Sequence, residues 1–344
     1  MIGVLDPETS WYSKPTEPHP CVLALRWTAF RNLEGWPFTG KCRAEQKLEL
    51  KSRLIEAVKS EDTLSAPFVW KEAPPVTKAL AQERLLVPDG LVQDREAVSW
   101  WEAQDGWGLH FGGEDHLRLR QLSLGFQPQQ AEQFWKSLDS WGQQLGFAWR
   151  SHWGWVTADP AHAGGGVQVS ALLHLPASES SGLWEAMMKT VERQGFSLLP
   201  VWAGSRGESD FFWLQNAFSF GRSERELSSV LVSLVEKITK GEIEARQREA
   251  KLQALQLEDR IGRAWGLLTN ARRLTWEETL PALSALRRAS ELIIIKESVS
   301  ERLDPLFFRL QGAHLRALLA SSEGEDVLRS DLIRTILLGG KKNV

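Results

Sequence analysis

The amino-acid sequence predicts an α+β domain followed by a domain made only of helices. Residues 107–124 alternate apolar and polar side chains on both sides of Gly112-Gly113, which is typical of two half-buried strands joined by a tight turn. Strand-like and helix-like segments follow one another up to residue 220, whereas every apolar pattern after residue 223 has helical spacing. This order favours a unit of sheet and helices, with a helical unit after it.

The chain divides into an irregular N-terminal segment (1–20), the α+β domain (21–255) and the helical domain (256–344). Strands are predicted at residues 21–27, on each side of Gly112-Gly113 within residues 107–124, and at residues 147–157, 167–175, 196–202 and 210–220. Helices are predicted at residues 45–60, 78–86, 128–145 and 181–194, and one continuous helix at 223–257.

Composition excludes several classes of protein. The net charge of −3 gives no bulk attraction to nucleic acid or to an anionic membrane. The start of the chain lacks a signal-peptide pattern, and no apolar run is long enough to span a bilayer. Cys21 and Cys42 are the only cysteines, which excludes a disulfide framework and fits a reducing cytoplasm.

The turn after Gly112-Gly113 carries Glu114, Asp115 and His116, with Arg118 two residues further on. Two carboxylates and an imidazole at the rim of a sheet are typical of a site for a cation such as guanidinium or a metal. The alternative is a polar hairpin end with surface ion pairs, which contribute little to stability. The histidine spacings match no zinc site, so we predict no metal ligands.

Four segments, one of them the turn just described, together resemble a known family. Residues 31–38 read Arg-Asn-Leu-Glu-Gly-Trp-Pro-Phe, residues 114–118 Glu-Asp-His-Leu-Arg, and residues 221–224 Gly-Arg-Ser-Glu. Residues 154–176 run from Gly-Trp-Val-Thr to His-Leu-Pro. Together they resemble the phosphagen (ATP:guanidino) kinase family. Residues 257–272 resemble the helical domain of its bacterial branch, the protein-arginine kinases, which ordinary creatine and arginine kinases lack.

The resemblance implies an antiparallel sheet flanked by helices, which holds ATP with Mg²⁺ beside a guanidino acceptor. It implies a guanidinium-binding, proton-accepting role for Glu114, and nucleotide contacts for Arg26 and Arg118. Arg84 stands where the family has a nucleotide-contacting histidine. A rebuilt carboxylate pair of Glu114 and Asp159 is a further hypothesis, and its alternative is that Asp159 only caps the turn before Pro160.

The active-site pattern of the family is nevertheless incomplete in this chain. Three of five family arginines are absent, and their places hold Thr28, Gln168 and either Leu198 or Leu199. Asp159 replaces the reactive cysteine of the family. The second catalytic glutamate of the family has no clear equivalent in this chain. Within residues 202–208, Arg206 and Glu208 are candidate substitutes.

These losses predict weak or absent catalysis. One arginine that neutralises a phosphoryl group is worth on the order of 10³ to 10⁵ in rate. We therefore expect a degenerate member with a binding or regulatory role. The alternative is an active protein-arginine kinase that uses Glu114 and Asp159.

The C-terminal domain resembles a phosphoarginine-binding module with an Arg-Asp-x-x-Arg-Ala motif. Asp326 and Arg329 are kept, but Glu325 replaces the first arginine and should repel phosphate. Two interpretations of these residues remain: a weakened phosphoarginine pocket, or a solvated, charged helix face. As partners, the resemblance implies an arginine-bearing protein or a sister kinase, a small zinc-binding activator, a Clp-type unfoldase and self-association into oligomers.

Overall fold

The computed structural model describes residues 10–13, 16–58, 68–88, 91, 97–102, 106–178, 182–202, 209–291, 302–319 and 324–339. None of the helices in these ranges is both long and apolar enough to cross a membrane.

Strands of the α+β domain form one large antiparallel sheet. The strands are β1 (Val22–Arg31), β2 (Phe68–Val69), β3 (Val98–Glu102), β4 (Trp107–Phe111), β5 (Leu117–Leu124), β6 (Trp149–Arg150), β7 (Gly154–Trp155), β8 (Val167–His174), β9 (Phe196–Val201) and β10 (Phe211–Asn216). Within the described residues, eight of them pair in the order β2-β3-β4-β5-β1-β8-β10-β9, and every pair is antiparallel. The predicted antiparallel sheet is therefore confirmed.

Helices lie beside the sheet and make up the C-terminal domain. They are α1 (Ala44–Val58), α2 (Pro75–Glu83), α3 (Gln130–Leu145), α4 (Trp184–Arg193), α5 (Glu224–Leu252), α6 (Ala254–Asn270), α7 (Trp276–Glu291), α8 (Leu306–Arg309), α9 (Gly312–Leu319) and α10 (Glu325–Leu338). The described residues after α5 form helices and turns without a strand, in agreement with the helical domain predicted there.

The two faces of the sheet bury different partners. On one face, Trp27 of β1 packs in a core with apolar side chains of α1, α3, α4 and α5, such as Trp135 and Leu231. Complete burial of a large apolar side chain contributes about 1.5–3 kcal/mol. On the other face, Leu172 and Trp213 belong to a second core that also contains residues of α6, α7, α8 and α10. The C-terminal domain therefore covers part of this second face.

Two aromatic residues of the N-terminal segment are buried, although the described residues around them, 10–13 and 16–20, form no helix or strand. Trp11 and Tyr12 belong to the second core, where both rings contact Phe308 of α8. The indole nitrogen of Trp11 donates to the carbonyl of Arg84 at 2.8 Å. The segment thus joins the α+β domain to the C-terminal domain.

Several predicted boundaries were wrong. The helix predicted at 223–257 breaks at Gln253, whose backbone leaves the helical region at φ −134° and ψ 39°. No glycine or proline marks this break in the sequence. The strand predicted at 147–157 is instead a small hairpin of β6 and β7, with a turn at residues 151–153 that is followed by Gly154 at φ 74°. The strand β3 was not predicted, because its sequence Val-Ser-Trp-Trp-Glu does not alternate between apolar and polar residues throughout.

Candidate active site

The second face of the sheet brings three arginines together. On β1, Arg26 and Thr28 point to this face, because side chains alternate along a strand. Thr28 pairs with Arg120 of β5 and with Gln168 of β8, while Arg118 pairs with Phe30. Directly opposite residues of an antiparallel pair share a face. Arg26, Arg118 and Arg120 therefore lie on one face, at the end that Phe30 and Thr28 occupy.

Arg26 is held by its neighbours on β8 and β10. Its guanidinium carbon lies 4.1 Å from the centre of the Trp213 ring, and one of its nitrogens donates to Ser170 at 3.4 Å and to Gln215 at 3.3 Å. The side chain is half-buried. A guanidinium in this position is oriented by an aromatic ring and remains partly open to solvent.

Arg118 belongs to a stack of three side chains. Its guanidinium carbon lies 4.9 Å from the centre of the Phe30 ring, and the His162 ring stacks on Phe30 at 3.8 Å. The pKa of His162 is lowered, mainly by burial, although Asp159 opposes this shift and the charge of Arg118 adds to it. The imidazole of His162 and the guanidinium of Arg118 thus both contact the Phe30 ring.

Arg120 was missed by the sequence-based reasoning. It pairs with Thr28 of β1, one of the places where family arginines are absent, and Gln168, a second such place, pairs with Thr28 from the opposite side of β1. It is buried, and its guanidinium donates to the carbonyl of Leu85 at 3.0 Å. The alternation of Leu117 and Leu119 with the two arginines of β5 was the signal that could have revealed it.

The Gly112-Gly113 turn presents Glu114 to solvent and fixes the two residues after it. Both glycines adopt positive φ, 111° and 89°, as a tight turn requires. Asp115 is buried and accepts hydrogen bonds from the Asn32 amide at 2.6 Å and the Ala158 backbone nitrogen at 2.7 Å. Of the two predicted carboxylates in this turn, only Glu114 is exposed.

His116 is a structural residue. Its Nδ1 accepts from the backbone nitrogen of Leu33 at 3.0 Å, so its Nε2 carries the hydrogen and donates to the Pro37 carbonyl at 2.7 Å. Burial lowers the pKa of this imidazole. Both ring nitrogens are engaged by the backbone of residues 33–37, which explains why this loop and the turn occur together in the sequence pattern.

Asp159 caps a single 3-10 turn, Pro160–His162. One carboxylate oxygen accepts from the Ala161 backbone nitrogen at 2.9 Å, and the other lies 3.3 Å from His162 Nδ1. The capping role that we considered as an alternative is therefore present in the structure. The Ala158 backbone nitrogen donates to Asp115. Asp159 follows Ala158 and Glu114 precedes Asp115 in the sequence, so this hydrogen bond brings the segment of Asp159 beside the turn of Glu114.

Arg84 lies at the end of α2, next to the C-terminal domain. It is buried, and its positive charge contributes to lowering the pKa of His314 on α9 to about 3, for which burial is the larger cause. Tyr12 also lies within reach of its charge. Its surroundings therefore include the N-terminal segment and α9. The candidate substitutes Arg206 and Glu208 lie outside the described residues, as does the loop 203–208.

The predicted phosphoarginine site has an unexpected charge distribution. Arg329 is buried, and it donates to the carbonyls of Leu310 at 2.9 Å and Leu274 at 2.6 Å and to Asp326 at 2.8 Å. Glu325 forms an ion pair with Arg316 at 2.9 Å. The cavity beside them has a volume of about 420 Å³, and its carboxylates come from Glu83, Glu277, Glu325 and Asp326.

In the described ranges, no group of three or more His, Cys, Asp and Glu side chains is arranged to hold a metal ion.

The sheet face combines two cations with a carboxylate. Arg26 and Arg118 are oriented cations, and Glu114 is an exposed carboxylate on the turn that precedes Arg118. Such groups can bind an oxyanion and a guanidinium side by side.

Comparison with known families matches both domains. The family described as "ATP:guanido phosphotransferase, C-terminal catalytic domain" matches residues 49–245. The family described as "Protein-arginine kinase McsB C-terminal domain" matches residues 254–343. The two matches meet near the break between α5 and α6.

Individual relatives and solved structures agree with these matches. A protein-arginine kinase of Moorella thermoacetica is 28% identical and covers 97% of this chain and 99% of its own length. One of Syntrophomonas wolfei is 30% identical, with 67% of this chain and 65% of its own length covered. The crystal structure of lombricine kinase superposes with a TM-score of 0.56 at 18% identity, covering 69% of this chain and 70% of that chain. The latter likeness concerns the fold.

Proposed function

The chain belongs to the ATP:guanido phosphotransferase family, in its bacterial protein-arginine kinase branch, and from this premise we propose a regulatory binding function. The protein binds a nucleotide on the sheet face and an arginine side chain of a polypeptide beside it. It transfers a phosphoryl group weakly or not at all.

One observation carries the proposal of weak transfer. Near Arg26, the sheet face has the neutral side chains of Thr28 and Gln168, and Arg120, which pairs with Thr28, donates to the carbonyl of Leu85. Phosphoryl transfer depends on preorganised cations that face the transferred group. A guanidinium turned towards a backbone carbonyl is not preorganised for that group, so the transition state lacks this stabilisation.

The remaining groups support binding. Arg26 and Arg118 would hold the phosphates of ATP, which binds together with Mg²⁺. Where transfer occurs, ATP supplies the phosphoryl group. Their rings, Trp213 and Phe30, keep the two guanidinium groups oriented before the nucleotide arrives. Glu114, exposed on its turn, would bind the guanidinium of the arginine. The residues present thus fit the phosphates, although with fewer cations than the family pattern has.

A second candidate is an active protein-arginine kinase with a rebuilt carboxylate pair. The hydrogen bond between Asp115 and the Ala158 nitrogen favours it, because this bond holds the segments of Glu114 and Asp159 next to each other. Asp159 would then have to leave its contacts with Ala161 and His162 in order to accept a proton from guanidinium.

Two measurements on the purified protein test the proposal. We expect millimolar Mg-ATP to raise the melting temperature, because a ligand that binds only the folded state stabilises it. The shift should be lost in Arg118→Ala and kept in Arg263→Gln, an exposed ion-pair residue on α6. In the same preparation, an arginine-bearing protein should gain no phosphate from ATP beyond background.

The outcomes separate the two candidates. An absence of any shift with Mg-ATP contradicts nucleotide binding. Robust ATP-dependent phosphorylation of arginine that is lost in both Glu114→Gln and Asp159→Ala establishes the second candidate and overturns the first.

The proposal extends to partners and location. The arginine comes from a substrate-like protein or from a sister kinase that this chain regulates, in the reducing cytoplasm. A small zinc-binding activator, a Clp-type unfoldase and further copies of the chain are the other proposed partners. Co-purification with an active homologue of the same cell would be the supporting result, and a change in that homologue's rate on addition of this protein would measure the effect.

A further inference from the structure

The boundary between the two domains contains three buried arginines. Arg246 of α5 donates to Glu242 at 2.6 Å, to the Pro20 carbonyl at 3.2 Å and to the His174 carbonyl at 2.9 Å. These bonds use all three of its guanidinium nitrogens. Such complete use is expected, because a buried charge needs partners for each of its polar atoms.

Arg287 of α7 is bound just as completely. Its Nε donates to Asp304 at 2.7 Å, its Nη1 to the Pro20 carbonyl at 2.7 Å, and its Nη2 to the His19 carbonyl at 2.8 Å. In both Arg246 and Arg287, every guanidinium nitrogen therefore donates a hydrogen bond within the protein.

Arg288, the next residue of α7, differs from both. Only 1% of it is exposed, and one nitrogen, Nη2, donates to Glu249. Its Nε and Nη1 are buried and have no acceptor among the described residues. Arginine stays protonated in proteins, and a buried donor without an acceptor costs about 1–3 kcal/mol or more when it is charged. A site that retains this cost has donors available for a ligand.

A cavity lies against Arg288. Its volume is about 310 Å³, and it is bounded by α6, α7 and the ends of β8 and β10. Arg260 of α6 supplies a second guanidinium to its wall, while Leu257 and Ile261 supply apolar surface. A cavity of this size reaches the lower end of the range for small-molecule sites, roughly 300 Å³. It is too large for a single small ion alone.

The polar groups of the wall restrict the ligand further. Ser284 donates to the carboxylate of Asp210 and accepts from His174 Nε2 at 2.8 Å, so its hydroxyl is engaged within the protein. Asp210, which lines the same cavity, adds a negative charge to its wall. A ligand that carries an oxyanion together with a hydrogen-bond donor matches this arrangement, whereas a bare polyanion does not.

We propose that this interdomain cavity binds a small molecule through its oxyanion, a phosphoryl or carboxylate group, which accepts from Arg288 and Arg260. The site is separate from the sheet face, which has its own arginines. Because it lies between α6, α7 and the sheet, a bound ligand contacts both domains and stabilises their association. This inference stands whether or not the sheet face binds a nucleotide.

Calorimetric titration and thermal shift of the full chain test the site. The probes are inorganic phosphate, acetate and free phosphoarginine, which carries an oxyanion and guanidinium donors, all at an ionic strength held constant with sodium chloride. We expect at least one probe to bind with a melting-temperature rise that chloride does not produce. Arg260→Gln should weaken this binding at least tenfold, because it removes an exposed cation of the wall without disturbing the core.

Matched variants make the result specific. Arg263→Gln removes an exposed arginine on the same helix, paired with Asp259 and outside the cavity, and should bind as the unaltered protein does. Arg288→Lys should also weaken binding, provided that its urea unfolding remains cooperative. Preference for phosphate over acetate assigns a phosphoryl ligand, and the reverse preference assigns a carboxylate.

Three results would overturn the proposal. The first is the absence of any probe-dependent shift at constant ionic strength. The second is unchanged affinity in Arg260→Gln. The third is binding that disappears in Arg118→Ala but persists in Arg260→Gln, which would place the anion on the sheet face and leave the proposed function, but not this inference, standing.

Discussion

Arginines gather in two regions of this protein, and the two regions engage them in different ways. At the domain boundary, Arg246 and Arg287 are buried, and every guanidinium nitrogen donates a hydrogen bond to the protein. On the sheet face, Arg26 and Arg118 are half-buried and rest on aromatic rings. The guanidinium groups at the domain boundary thus have all their nitrogens hydrogen-bonded, whereas those at the candidate site remain partly exposed to solvent.

The difference separates stability from binding. A buried, fully bonded charge has little left to offer a ligand, but its removal leaves its anionic partner uncompensated. A half-exposed guanidinium on a ring contributes little to folding and remains available to an oxyanion. Arg288 stands between these two types, since it is buried like the first and incompletely bonded like the second.

The largest expected effect is at the domain boundary. Arg287→Ala should lower the free energy of unfolding by about 3–5 kcal/mol, because it leaves Asp304 and the carbonyls of His19 and Val22 without this donor. Urea unfolding monitored by tryptophan fluorescence measures the loss. The exposed control Arg263→Gln should change the value by less than about 1 kcal/mol. Equal stability of the two variants would refute the contrast between the regions.

Acid should weaken the same boundary. Burial, together with the charges of Arg287, Arg246 and Arg288, holds the pKa of His174 well below 6.5. The unfolded chain therefore binds a proton that the folded chain excludes, and stability falls as the pH drops below about 6.5. The slope is roughly 1.4 kcal/mol per pH unit for this histidine.

The variant His174→Gln tests the contribution of this residue to the acid response. Urea midpoints between pH 7 and pH 5 should fall less steeply in the variant than in the unaltered protein. The other histidines whose pKa values are lowered by burial remain in both proteins and contribute to the residual slope; they are His19, His110, His116, His162 and His314. Identical slopes in the two proteins would show that His174 is not the group that titrates.

A smaller effect is expected in the C-terminal domain. Asp326→Asn should lower the free energy of unfolding by about 1–3 kcal/mol, since it removes the anion that the buried Arg329 contacts at 2.8 Å. The same variant should leave the affinity for free phosphoarginine unchanged, because the donors of Arg329 are already bound to carbonyls. Calorimetry that shows weaker phosphoarginine binding in Asp326→Asn would support the alternative of a phosphoarginine site at Asp326 and Arg329.

The smallest effect concerns the turn beside Glu114. Asp159→Ala removes the cap of the turn Pro160–His162 and should lower stability by about 1 kcal/mol. Asp159→Asn should recover most of this loss, because an asparagine side chain can also accept from the Ala161 nitrogen. Thermal unfolding measures both changes. A larger loss in Asp159→Asn than in Asp159→Ala would show that the charge, and not the cap, is what the turn needs.

Local patterns in the sequence were sufficient for much of the fold. The hairpin around Gly112-Gly113 and the strand at 167–175 follow from side-chain alternation, and most helices follow from apolar spacing. The exposure of Glu114 follows from its place in a turn that requires positive φ at both glycines. These features depend on a few neighbouring residues, so a short stretch of sequence contains the information for them.

Only the tertiary structure decided where the charged side chains point. Arg120 turns to the Leu85 carbonyl, and Arg84 lies against the C-terminal domain, although both could have been placed on the sheet face from sequence. The incomplete bonding of Arg288 and the cavity beside it arise from α6, α7 and the sheet together. The reason is physical: the direction of a long cationic side chain is set by acceptors distant in sequence, and the chain brings these together only when it folds.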